Sequence, residues 1–244
     1  MLNSIYLDIE AKMVMKREEK QRVGAVIVAA GKSQRMGEMD KLFALLGGKP
    51  ILVQATHAFQ KCRLVDQIVV VVSREKEQLC RRLVATEEWA KVSDICLGGR
   101  RRQDSVAAGL KRLNKCDWVV IHDGARPLVT VDLIERGLEA AKETGAAAAA
   151  VPVTDTIKLA GDDRIVHQTP PRQNLWSVQT PQVFRIGLIT RAYQKANEDV
   201  TDDASLVEQL GYKVKLYMGS DDNIKITTPD DLALAEVLWQ KYER

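Results

Sequence analysis

Four short, almost unbroken apolar runs recur along the chain: VGAVIVAA at 23–30, QIVVVVS at 67–73, WVVIHDG at 118–124 and AAAAAVPV at 146–153. Three of them are rich in valine or isoleucine, and runs of that length predict strands buried on both faces of a parallel sheet. Between them, apolar positions take up a helical spacing in PILVQATHAFQKC (50–62), KEQLCRRLVA (76–85), DSVAAGLKRL (104–113) and VDLIERGLEAAKET (131–144). Repeated strand-then-helix with short connections predicts a doubly wound α/β sheet. The alanine run at 146–150 reads as a tightly packed strand, although continuation of the preceding helix is the alternative.

The pattern breaks between about Val151 and Trp176. VPVTDTIKLAGDDRIVHQTPPRQNLW combines β-branched residues, a GDD turn signal and two adjacent prolines, which predicts a β-arm or hairpin leaving the main sheet. VKLYMG (214–219) returns the chain, and PDDLALAEVLWQKYE (229–243) predicts a final helix, with Pro229 in its first turn and aspartates at its positive end.

Composition narrows the function classes. The net charge of +3, from 36 basic and 33 acidic residues, is too small to indicate a nucleic-acid binder, so any positive field must be local. Four cysteines without a CxxC pair and three scattered histidines disfavour a zinc site and suit reduced thiols. No apolar stretch reaches the roughly 20 residues that cross a bilayer, and the mixed, charged start MLNSIYLDIEAKMVMKREEKQR lacks the apolar segment of a signal peptide. These features together predict a cytoplasmic protein that engages no membrane. Residues 1–21 read as a poorly ordered extension, with Met13 and Met15 as alternative starts, and 22–244 as a single domain.

In open α/β sheets ligands bind beyond the carboxyl ends of the strands, where strand order reverses. Three loops fall there. AAGKSQRMGEMDK (29–41) satisfies neither GxGxxG nor GxxxxGK[ST], yet its small residues offer backbone N–H groups beside Arg35 and Lys41. Such a loop can wrap a triphosphate, or its cations can simply be solvated. LGGRRRQDSV (97–106) concentrates three arginines after two glycines, with Asp104 or Ser105 as the expected helix N-cap. IHDGARP (121–127) ends a buried strand with Asp123, which either binds Mg²⁺ alongside substrate phosphates or accepts turn hydrogen bonds and pairs with Arg126.

These loops resemble those of the cytidylyltransferases of the non-mevalonate isoprenoid pathway. The matching stretches are AAGKSQRMG, GGRRRQDSV, HDGARP, VPVTDTIK, LWSVQTPQVF, TDDAS and DNIKITTPDDLALAE, and they run in the family's order over nearly everything after residue 22. The resemblance implies a Rossmann-like, mostly parallel sheet flanked by helices, of nucleotidyltransferase type, with a protruding β-arm. It also implies transfer of the cytidylyl group of CTP to 2-C-methyl-D-erythritol 4-phosphate, with Mg²⁺ as cofactor and pyrophosphate as the second product. By position it implies catalytic roles for Arg35, Lys41, Arg172 and Lys225, and nucleotide binding by Ala29, Ala30, Gly31, Lys32, Ser33, Gly99, Ser105 and Gly124. Asp123, Arg126, Thr156 and Thr180 become substrate-binding positions, with Asp123 also facing the metal. The arm at 151–176 would reach across a homodimer, so that Thr156 and Arg172 serve the partner's site.

The chain departs from the family's pattern in the first loop. Ser33 replaces a common glycine, Asp40 replaces the usual proline, and the Arg35–Lys41 spacing is one residue shorter. The extra acid beside Lys41 would either weaken triphosphate binding or add a water-mediated magnesium contact. A sibling cytidylyltransferase acting on ribitol 5-phosphate shares the CTP loops and is the alternative reading. A non-catalytic nucleotide sensor of the same fold would be expected to have lost the Arg35, Lys41 and Lys225 positions, and a dinucleotide-dependent oxidoreductase lacks its glycine fingerprint here.

Overall fold

The computed structural model describes residues 21–31, 41–196 and 198–242. In chain order the first half comprises β1 (Val23–Ala29), the short pair β2 (Leu45–Leu46) and β3 (Lys49–Pro50), α1 (Ile51–Lys61), β4 (Gln67–Val72), α2 (Glu77–Thr86), β5 (Val92–Leu97), α3 (Arg102–Leu110) and β6 (Trp118–Asp123). The second half comprises α4 (Val131–Thr144), β7 (Ala146–Pro152), the arm strands β8 (Leu159–Ala160) and β9 (Val166–Gln168), and β10 (Trp176–Arg185). It closes with α5 (Ile186–Lys195), α6 (Asp203–Gln209), β11 (Lys215–Met218) and α7 (Pro229–Tyr242).

Seven strands form one sheet in the order β11-β7-β10-β6-β1-β4-β5. β10 runs antiparallel to β6 and β7, whereas the other paired strands are parallel. The four apolar runs are all strands, and residues alternate between the two faces as the pleat requires. Ile68, Val70 and Val72 pack beneath α1, α2 and α4, with Leu52, Phe59, Leu133 and Leu138. Val69 and Val71 face α3, α5 and α6, with Val106, Ile189 and Val207. The alanine run is strand β7, wholly buried between β10 and β11. Gly145 ends α4 with φ of 86°, and its N–H caps the Ala141 carbonyl, which separates helix from strand at that point.

Several elements lie outside the apolar-run pattern. β5 (VSDICL) admits Ser93 and Asp94 because it is the outer strand of its side of the sheet. β10 carries Gln179, Thr180 and Gln182 at buried positions, so no apolar run marks it. α3 begins at Arg102, two residues earlier than the N-cap expected at Asp104. Arg101 is the capping position, and Asp104 sits inside the first turn, where its carboxylate accepts from the Arg101 backbone N–H at 3.1 Å. Ser105, the other expected cap, is likewise inside the helix. The arm leaves the sheet after β7 and rejoins it at β10, closed at its base by the Val153 N–H donating to the Leu175 carbonyl.

Candidate active site

β1 is followed in sequence by β4 and β5 on one side, and then by β6 on its other side. The strand order therefore reverses between β1 and β6, and a crevice opens beyond their carboxyl ends. Ala29 is buried at the end of β1, Ala30 is half-buried, and the Gly31 carbonyl accepts from Lys76 Nζ at 3.4 Å. Gly124 closes the other wall, its N–H donating to the Val28 carbonyl at 2.9 Å. Lys41 is half-buried ahead of β2. Lys32, Ser33, Arg35 and Asp40 lie outside the described residues, so their expected roles rest on the sequence.

Asp123 is the centre of charge. It is only 7% exposed, yet both oxygens meet cations: Arg102 Nε lies 3.0 Å from Oδ1 and Lys225 Nζ 2.7 Å from Oδ2. Burial alone would raise its pKa. Arg102, then Lys225 and Arg126, outweigh that and hold the carboxyl well below the usual carboxylate range. The Arg126 backbone N–H closes a turn on the Asp123 carbonyl at 3.0 Å, but among the described residues its guanidinium makes no hydrogen bond to the Asp123 carboxylate. It donates from Nη1 to the Asn223 carbonyl at 2.6 Å, while its buried Nε has no hydrogen-bond partner among the described residues. Burial lowers the pKa of this guanidinium from its ordinary value, opposed by Asp123.

Beneath Asp123 runs a chain of neutral hydrogen bonds. The Asp123 backbone N–H donates to Thr180 Oγ1 at 3.0 Å, and Thr180 Oγ1 lies 3.1 Å from His122 Nδ1. His122 Nε2 is 3.0 Å from the Arg126 carbonyl. The Arg126 carbonyl can only accept, so His122 Nε2 carries the proton, and Nδ1 of the neutral ring accepts from the Thr180 hydroxyl. Burial pushes the His122 pKa down to about 4, consistent with a neutral ring. Thr180, expected as a pocket-lining hydroxyl, is 4% exposed and serves this internal chain instead. β10 supplies it because β10 lies directly beside β6.

The GGRRRQDSV loop also differs from expectation. A Cβ on Gly98 would come within 2.3 Å of the Ala30 Cβ and 2.6 Å of Ser105 Oγ, and one on Gly99 within 2.4 Å of the Asp104 Cβ. The two glycines therefore already have a reason in the protein's own packing. Ser105 is buried, accepting from the Gly99 N–H and donating to the Arg101 carbonyl, each at 3.2 Å. Thus Ser105 shapes the backbone at Gly99, which is itself exposed at the crevice. The three arginines separate. Arg100 is exposed, Arg101 pairs with Asp104 and Asp199 at the surface, and Arg102 turns inward to Asp123 and Asp203.

Arg102, Asp203 and Tyr193 are the inner residues that sequence reasoning missed. The resemblance at TDDAS and the charge density of the three arginines point near them, but neither discloses which arginine turns inward. Thr156 and Arg172 are exposed on the arm, where Arg172 Nη1 donates to the Thr154 carbonyl at 2.6 Å. Among the described residues of this one chain, no hydrogen bond or ion pair joins either of them to the Asp123 cluster. Also among the described residues, no group of three or more His, Cys, Asp or Glu side chains could hold a metal unaided. Among the described residues, no helix is long and apolar enough to cross a membrane.

Comparison with known proteins is consistent with this geometry. The family model for 2-C-methyl-D-erythritol 4-phosphate cytidylyltransferase matches residues 23–241. A curated protein of that name from Dehalococcoides mccartyi is 51% identical over 221 residues, covering 91% of this chain and 97% of the relative. One from Caldanaerobacter subterraneus is 46% identical, covering 90% and 99%. Among solved structures, the 4-diphosphocytidyl-2C-methyl-D-erythritol synthase of Anaerococcus prevotii superposes with a TM-score of 0.81 at 30% identity, covering 91% of this chain and 97% of that one.

Proposed function

We propose a division of labour among the site residues from the premise that the chain belongs to the 2-C-methyl-D-erythritol 4-phosphate cytidylyltransferase family. The enzyme transfers the cytidylyl group of CTP to 2-C-methyl-D-erythritol 4-phosphate, giving 4-diphosphocytidyl-2-C-methyl-D-erythritol and pyrophosphate. A phosphate oxygen of the acceptor forms a bond to the α-phosphorus as the bond to the pyrophosphate oxygen breaks. The nucleophile is already anionic, so the demands on the protein are in-line positioning and neutralisation of developing charge.

The observation that carries the residue assignment is the convergence of Arg102, Lys225 and Arg126 around buried Asp123 in the crevice where strand order reverses. The unpartnered Nε of Arg126 is a buried donor suited to a phosphate oxygen. Lys225, the more exposed of the two cations on Asp123, is suited to the acceptor phosphate. Arg35 and Lys41 stabilise charge on the triphosphate, with Ala29, Ala30, Gly31, Lys32 and Ser33 around it. Gly99 and Gly124 border the nucleoside, and Ser105 acts through the Gly99 backbone.

One carboxylate at a strand end, with substrate phosphates to complete the coordination, suits magnesium, and Asp123 would hold it once Lys225 turns away. When bound, the ion would neutralise phosphate charge. Thr156 and Arg172 lie on an exposed arm carrying Ile157, Leu159, Ile165 and Val166, which supports a homodimer in which they reach the neighbouring chain's site. The reading is of a cytoplasmic enzyme. Phosphorus NMR of a mixture of CTP and methylerythritol phosphate tests it: a new pair of diphosphate signals together with pyrophosphate is expected. Release of inorganic phosphate alone would mean a hydrolase and overturn it.

A further inference from the structure

Arg102 makes the only ion pairs that connect Asp123 to the second buried carboxylate, Asp203, among the described residues. Its Nε lies 3.0 Å from Asp123 Oδ1 and its Nη2 2.8 Å from Asp203 Oδ2. Asp203 is 0% exposed, and its other oxygen accepts from the Tyr193 hydroxyl at 2.5 Å. The turn around it is built to hold that arrangement. Gln103 donates to the Glu198 carbonyl and accepts from the Val200 N–H, and Gln182 binds both Asp202 and the Ala204 N–H. A guanidinium fixed by one buried carboxylate at one edge can present the other edge in a single orientation.

Counting charge around Asp123 shows what this does. The two carboxylates face Arg102, Lys225 and Arg126. If Lys225 leaves for a substrate phosphate, Arg102 remains in direct contact with Asp123, so the buried carboxylate keeps a hydrogen-bonded cation. If Arg102 were neutral, Lys225 would be the only cation in direct contact with Asp123, and moving it would strand a buried charge. Removing one partner of a buried pair is strongly unfavourable, so Lys225 would stay where it is.

We infer that Arg102 is a positioning residue that frees Lys225: by retaining Asp123 as its own partner, it lets Lys225 exchange from that carboxylate to the acceptor's phosphate. This rests on the assignment of Lys225 to the acceptor made above. It predicts an effect on acceptor binding and turnover that passes through Lys225, although Arg102 need not touch either substrate.

The test compares Arg102→Lys, Arg102→Met and Arg102→Met/Asp203→Asn, each with and without Lys225→Ala. The paired change removes a buried cation and a buried anion together, whereas Arg102→Met alone leaves Asp203 without its ion-pair partner. Steady-state pyrophosphate release gives kcat and KM for each substrate. The paired variant should raise the KM for methylerythritol phosphate by about 10-fold or more, lower kcat and leave the KM for CTP within about threefold. Arg102→Lys should recover part of the loss. In the Lys225→Ala background the same paired change should add less than about threefold, because the step it impairs is already gone. Equal, multiplicative effects in both backgrounds, or equal loss of CTP and acceptor affinity, would overturn the inference. Absence of any transfer by the unmodified enzyme would instead overturn the proposed function, and a Lys225→Ala change without effect on acceptor KM would overturn the assignment of Lys225.

Discussion

Replacing Thr180 with valine separates two roles for its hydroxyl, contact with substrate or support beneath Asp123. The substitution keeps the β-branched shape but removes an oxygen that accepts from the Asp123 N–H at 3.0 Å and lies 3.1 Å from His122 Nδ1. Both groups are buried, so water cannot take its place. Leaving a buried donor or acceptor unmade costs about 1–3 kcal/mol each, so the two together come to at least about 2 kcal/mol. For a chain of this size that corresponds to a fall of at least about 4 °C in Tm. Differential scanning calorimetry measures it, with kinetics on the same preparation. Lower Tm with reduced kcat, and an acceptor KM within about threefold, is expected, because Asp123 loses its backbone anchor. An unchanged Tm with a strongly raised acceptor KM would refute this and return the hydroxyl to the substrate pocket.

Three further outcomes follow from the same geometry. Lys41→Ala should lower kcat by on the order of 10²-fold, the scale of losing one electrostatic stabiliser, and a raised KM for CTP at unchanged kcat would place Lys41 in ground-state binding instead. If the arm crosses a dimer, mixed Lys41→Ala and Arg172→Ala chains should regain activity after subunit exchange, since one site of each mixed dimer holds both residues intact; no recovery would place the whole site in one chain. His122 has its folded pKa lowered to about 4 from an ordinary 6.5, so the unfolded chain binds the extra proton first as pH falls. Its contribution is present above pH 6.5 and lost on descent towards pH 4, amounting to on the order of 3 kcal/mol at about 1.4 kcal/mol per pKa unit. Urea unfolding of the unmodified enzyme and His122→Asn should show this slope only in the former; parallel slopes would contradict it.

The parts of the fold legible in the sequence are those where burial on both faces leaves only apolar choices. β1, β4, β6 and β7 are such strands, and their runs mark them within one residue at most ends. β10 was hidden for a physical reason: Gln179, Thr180 and Gln182 are buried polar groups satisfied by Ser220, His122, Asp202 and Ala204, so the strand has a mixed sequence. α5 and α6 follow it and were masked by the same absence of a preceding run. At the candidate site, Asp123 is legible as a candidate because it ends an apolar strand. Arg102 is not, since a run of three arginines does not disclose which one turns inward; that depends on Asp203, which lies 101 residues further along the chain. Thr180 was located by resemblance and its surroundings were not, because a hydroxyl's partner is set by the neighbouring strand.

The most direct measurement sets two acceptors against each other. With CTP fixed and magnesium present, pyrophosphate release is followed in parallel with 2-C-methyl-D-erythritol 4-phosphate and with ribitol 5-phosphate. Release with the first acceptor, stoichiometric with 4-diphosphocytidyl-2-C-methyl-D-erythritol and with a far higher kcat/KM than with the second, is the predicted result. Preferential turnover of ribitol 5-phosphate, or release that does not depend on either acceptor, would contradict it.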